Sequence, residues 1–217
     1  MTGIGSGAVM SLDLRWAADC VVEENIRVAE ILGINAAART TTVKPSGTSS
    51  LVCGSASGIH AWHNDYYIRR MRLGKDEALY TYLRKHLPEL VEDDKFVANG
   101  AVASFPQKAP EGSILRHEAP SELLERVRKF NLEWVRQGHG NGDNTHNVSC
   151  TISVRDNEWQ EIADWMWNNR NDYNGISVLP YNGGTYVQAP FEDITQAEFE
   201  ELEKHLKNIN LSEVHEA

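Results

Sequence analysis

The chain has 217 residues, enough for one large domain or two small ones and for a core that hides roughly 70% of the surface an unfolded chain of this size exposes. With 41% apolar and 24% charged residues it is an ordinary globular composition, which excludes a disordered tail, a collagenous repeat and a disulfide scaffold. Lysine plus arginine against aspartate plus glutamate is 21 − 31 = −10, too acidic for a surface that binds nucleic acid or an anionic membrane over its whole extent, so an anionic ligand would have to be caught locally.

Cys20, Cys53 and Cys150 are odd in number and far apart, with no CxxC or Cys/His ligand spacing. No structural zinc site or disulfide framework follows, and a reducing cytoplasm is the expected compartment. No apolar run approaches the ~20 residues that span a bilayer, and the first residues lack a basic region followed by an apolar one. The expectation is a protein that is neither secreted nor membrane-bound, and the sequon Asn147-Val148-Ser149 is read as chance.

In chain order, Met1 to Met10 is glycine-rich and apolar, an unusual opening that suggests a chain starting in the middle of something. Ser11 can cap a helix in which Leu14, Ala18, Val21, Val28 and Leu32 recur at steps of three and four, until Gly33 stops it. Thr40 to Lys44 is β-branched and reads as a strand, followed by the loop Pro45 to Ser50. Tyr66 to Leu73 reads as a strand, Lys75 to Leu87 as a helix, and Ala101 to Phe105 as a strand ending at Pro106. Ser121 can cap a helix with the stripe Leu123, Val127, Phe130 and Trp134, ended by Gly138. Thr151 to Val154 is a strand, Asp156 can cap a helix carrying Trp159, Ile162, Ala163 and Met166, and Gly175 to Leu179 is a last strand. Thr195 to Glu198 is a capping box before Phe199, Leu202 and Leu206. Strands alternating with helices predict βαβ units and a parallel sheet. Without an internal repeat or low-complexity linker, residues 1–217 are expected to be a single α/β domain.

The most informative local feature is Lys44-Pro45-Ser46-Gly47-Thr48-Ser49-Ser50, directly after a predicted strand. Backbone N–H groups at a glycine turn entering a helix, with hydroxyls beside them, bind phosphate without a basic surface. The same residues also suit a Ser/Thr-rich turn that only caps a helix, and the run is not a Walker loop. His60 and His63 could approach a ligand held there, or be an exposed loop pair. His139, Asp143 and His146 lie on a Gly/Asn loop whose spacing defines no metal geometry, so no metal is expected. Trp165 and Trp167 lie on opposite sides of one helix, so one of them is expected to meet another polypeptide. No catalytic set can be assembled from spacing.

Thr41-Thr42-Val43-Lys44-Pro45-Ser46-Gly47-Thr48, Gly58-Ile59-His60 and Tyr67-Ile68-Arg69-Arg70 resemble, in order and spacing, the C-terminal half of the adenosylcobalamin-dependent (class II) ribonucleotide reductase large chain. Lys129 to Trp134, Asn144 to Ser149, Trp165-Met166-Trp167, Ser177 to Tyr186 and Gln188 to Glu192 resemble its monomeric ribonucleoside-triphosphate reductase branch. Leu179-Pro180-Tyr181, where class I relatives carry a tyrosine pair, favours the cobalamin class.

The resemblance implies the C-terminal half of a ten-stranded α/β barrel. It implies that Pro45, Ser46, Gly47, Thr48 and Ser49 bind the substrate phosphates, with His60 as a possible ligand-proximal residue. It further implies adenosylcobalamin as cofactor, a ribonucleoside triphosphate as substrate, and a dithiol reductant such as thioredoxin. The family's radical cysteine and redox cysteines have no counterpart among Cys20, Cys53 and Cys150, so no catalytic residue is expected here and an N-terminal reductase fragment is the expected partner. Cys53 and Cys150 stand where the family carries small residues, and both are expected to be buried.

Overall fold

The computed structural model describes residues 1–47, 49–50, 53–140, 142–183, 186–206 and 209–216. Among them the elements are α1 (Leu14–Leu32), β1 (Tyr66–Gly74), α2 (Ala78–His86), β2 (Val91–Asp93), β3 (Gly100–Lys108), α3 (Pro120–Phe130), β4 (Thr151–Val154), α4 (Trp159–Asn168), β5 (Ser177–Pro180), β6 (Phe191–Asp193) and α5 (Gln196–Leu206). They form two compact units: Met1–Trp62 with Pro110–Tyr181, and His63–Ala109 with Asn182–Ala217.

In the first unit, α1 is capped by Asp13, whose carboxylate accepts the Trp16 N–H at 3.1 Å, and it ends at Gly33 in the left-handed region, φ 64°. Ser11 is not the cap; it closes a 3-10 turn by donating to the Ala8 carbonyl. Of the expected apolar stripe only Leu14 and Ala18 are buried, while Val21 and Leu32 are exposed. Pro120 occupies the first position of α3, where its missing N–H costs nothing, and the Glu122 carboxylate accepts the Ala119 N–H at 2.8 Å. Leu123, Leu124, Val127 and Phe130 form its buried face, and the helix continues as a π-helical turn, Asn131–Val135. β4 and β5 pair in parallel from Thr151↔Ser177 to Val154↔Pro180, with α4 between them in sequence, as a βαβ unit requires. Ile4, Leu14, Val43, Ile59, Phe130 and Ile152 belong to one core. Thr40 to Lys44 is not a strand but extended chain held by isolated bridges, Arg39 to His139 and Val43 to Val148.

The second unit is built on a four-stranded sheet in the order β2-β3-β1-β6. Its pairings are all antiparallel, with β1 and β3 in register from Tyr66↔Lys108 to Gly74↔Gly100. This corrects the expected parallel sheet, which is right only for β4 and β5. A helix between two strands is compatible with either direction once the chain has length to turn back, and here the connection from β1 to β3 returns through α2 and the short β2. β3 runs through Pro106, because β2 covers only Ala101 to Ala103 and leaves that flank of β3 open where the proline lacks its N–H. Tyr82, Leu83, Leu90, Ala101 and Ala103 form its core with Leu202 and Leu206. α5 starts with the expected capping box: Thr195 N–H donates to Glu198 at 2.7 Å and Glu198 N–H to Thr195 Oγ1 at 3.3 Å.

Candidate phosphate-binding site

The turn after Lys44 is set by Gly47, whose φ of 55° strains any residue with a Cβ. Around it, Ser49 N–H donates to the Ser46 carbonyl (3.2 Å) and Ser50 Oγ to the Gly47 carbonyl (2.9 Å). Ser49 and Ser50 are already helical. Pro45, Gly47 and Ser49 are exposed, Ser46 half-buried and Ser50 buried, while Thr48 lies outside the described residues. Among the described residues the Gly47 N–H and the Ser49 hydroxyl take no hydrogen-bond partner. The turn leads into helical residues, and it leaves these two donors on exposed residues without a partner among the described residues.

What holds the turn is the glycine-rich opening of the chain. Thr2 Oγ1 shares a 2.9 Å hydrogen bond with Ser46 Oγ and accepts the Gly58 N–H at 2.8 Å. Gly3 N–H donates to the Ala56 carbonyl and Ile4 N–H to the Gly58 carbonyl, both at 3.0 Å. Gly58 presses against the Lys44–Pro45 peptide so tightly that a Cβ would lie 3.0 Å from the Lys44 oxygen. Sequence reading missed Thr2; the available signal was the spacing of Gly3, Gly5 and Gly7, each meeting neighbouring atoms within 3 Å of where a Cβ would stand.

His60 does not offer a nitrogen to a ligand. Its Nε2 accepts the Thr151 N–H at 3.1 Å, which leaves the proton on Nδ1 to donate to the Ser57 carbonyl at 3.1 Å. Burial pushes the ring's pKa below that of an ordinary histidine. Beneath it Arg126 and Glu118 make a bidentate ion pair (2.8 and 2.7 Å), and Arg126 Nε donates to the Ile59 carbonyl at 3.4 Å. His63 belongs to the second unit, with Nε2 3.2 Å from Asp193 and its ring stacked on Phe191. His139 Nδ1 lies 3.2 Å from the Ala38 carbonyl, and no three His, Cys, Asp or Glu side chains gather as metal ligands among the described residues. Cys150 is buried, its thiol pushed up to about 11 by desolvation, but Cys53 is exposed, contrary to expectation. Trp165 is half-buried and donates to Glu125 at 2.6 Å, whereas Trp167 is exposed.

No family model matches the chain. It is 32% identical over 181 residues to an adenosylcobalamin-dependent ribonucleoside-triphosphate reductase of Lactobacillus acidophilus, an alignment covering 83% of this chain and 24% of that one. An enzyme of the same name from Euglena gracilis is 31% identical over 201 residues, covering 89% of this chain and 26% of the other. The chain is a relative of the class II ribonucleotide reductases. It corresponds to a C-terminal part of these reductases and spans about a quarter of their length, 24% for the Lactobacillus acidophilus protein. A solved B12-dependent (class II) ribonucleotide reductase shares its fold, with a TM-score of 0.79 at 23% identity over the whole of this chain and 34% of that one.

Proposed function

We propose that this chain supplies the substrate-phosphate turn, Pro45, Ser46, Gly47, Thr48 and Ser49, and half of the ten-stranded barrel of a class II ribonucleotide reductase. An N-terminal reductase fragment carrying the radical cysteine completes the enzyme. The substrate is a ribonucleoside triphosphate. Its 2′-hydroxyl leaves as water and is replaced by hydrogen, with the two electrons and two protons coming from a dithiol, such as that of thioredoxin, which becomes a disulfide. Adenosylcobalamin supplies the radical when bound to the complex. No residue here is assigned to the cofactor.

The observation that carries this reading is the N–H of the exposed Gly47, without a partner among the described residues, at a positive-φ turn within a segment that resembles the reductases. Replacing Gly47 by Pro removes that donor and forces φ to about −65°, and should weaken triphosphate binding in the assembled enzyme by ~1 to 3 kcal/mol, read as a raised KM. A folded variant with unchanged KM overturns the phosphate role. Deoxynucleotide formation by this chain alone, given adenosylcobalamin, nucleoside triphosphate and dithiol, overturns the need for a partner.

A further inference from the structure

Residues 57–60 are bracketed from several sides. The Gly58 N–H and carbonyl bond to Thr2 and Ile4, the Ile59 carbonyl to Arg126, and the Ser57 carbonyl accepts both the backbone N–H (3.1 Å) and the Nδ1–H of His60. The opposite ring nitrogen reaches Thr151, the first residue of β4, 91 positions away in sequence. Through Gly58 the bracket meets the Lys44–Pro45 peptide, from which the phosphate turn departs.

We propose that His60 is a positioning residue, whose neutral ring pins the bracket to β4 and so places the Gly47 turn for phosphate. This rests on the phosphate-site reading above. A protonated ring presents N–H to the Thr151 N–H, two donors facing each other, and the bond is lost. The charged groups around the ring are Arg126 on α3, which opposes protonation, and Glu118 before it, which favours it. Burial is the main cause that holds the ring below the ordinary histidine value of 6.5, against the Ser57 hydrogen bond that favours the charged form, so the clamp is intact at 6.5 and above and opens as pH falls through the ring's lowered value.

The test uses the full chain assembled with the N-terminal reductase fragment, and tripolyphosphate as probe, with calorimetry near pH 7.5 and about one unit below the titration point that nitrogen NMR gives for the ring. Binding by the unaltered chain should weaken about tenfold at the lower pH, the cost of one lost hydrogen bond. His60→Gln, whose amide oxygen can accept the Thr151 N–H and does not titrate, should show only the weaker pH dependence that comes from the probe's own protonation. His60→Ala should bind about tenfold more weakly at pH 7.5. Nitrogen NMR of the unaltered chain should show the proton on Nδ1 and a ring that titrates below 6.5, a readout that holds even if His60→Ala fails to fold. Equal pH dependence in the unaltered and Gln chains overturns the positioning role while leaving the phosphate site intact, as does a proton on Nε2. Absence of tripolyphosphate binding at either pH overturns the phosphate reading, and the role of His60 with it.

Discussion

Gly5 lies so close to His60 that a Cβ built on it would stand 2.1 Å from the His60 carbonyl oxygen. The obstacle is backbone, not a side chain that could swing away, and Gly5 is held on its other side by its carbonyl, which accepts the Ile114 N–H at 2.8 Å. Gly5→Ala should therefore push the opening segment off the bracket and destabilise the chain by ~1 to 3 kcal/mol, the usual range for overpacking. Urea unfolding checks this. An unchanged midpoint would mean that the two segments separate at no cost.

The Arg126–Glu118 pair has side chains only 5% and 12% exposed. Removing one partner leaves the other charge buried and unmatched, so Glu118→Leu alone or Arg126→Met alone should cost about 3 to 5 kcal/mol, whereas the double change Arg126→Met, Glu118→Leu should cost less than either single one. Denaturant midpoints of the four proteins decide it. Additive losses would show that the pair does not act as a unit.

Asp94, in the second unit, accepts the Phe96 N–H (2.7 Å), the Val97 N–H (3.1 Å) and Arg72 Nε (3.0 Å). The Phe96 N–H, foremost among these, holds its carboxyl below the ordinary 3.8. A depressed carboxylate stabilises the fold above that value, and the contribution disappears as pH falls through the folded-state value. Stability of the unaltered chain should thus fall more steeply with acid than that of Asp94→Asn, measured as thermal midpoints between about pH 5 and pH 2.5. Parallel curves would remove Asp94 from the acid response.

The three thiols should react in an order set by burial. Cys53 is exposed, Cys20 half-buried, and Cys150 buried with its thiol pushed up to about 11. Iodoacetamide near pH 8, followed by mass spectrometry, should label Cys53 first and spare Cys150 until denaturant is added. Rapid native labelling of Cys150 would contradict its burial. The triple change to alanine should leave turnover of the assembled enzyme intact while lowering stability through the cavity at position 150.

The features legible in the sequence are the ones decided within a few residues. β4 spans Thr151–Val154 as its β-branched pattern predicts, the Thr195–Glu198 capping box forms as spaced, and Gly33 ends α1, because each rests on contacts one turn or one strand long. The Ser46–Ser49 turn belongs to the same class, since a glycine at positive φ and neighbouring hydroxyls are local chemistry. Tertiary structure alone decided which strand lies beside which. β1 and β3 are antiparallel because of where their connection turns back, and a three-residue strand such as β6 has no pattern until β1 pairs with it. It also decided what His60 does. A histidine in a glycine loop can face a ligand or an amide equally well, and only a partner 91 residues away, bringing an N–H to within 3.1 Å of one ring nitrogen, selects its tautomer.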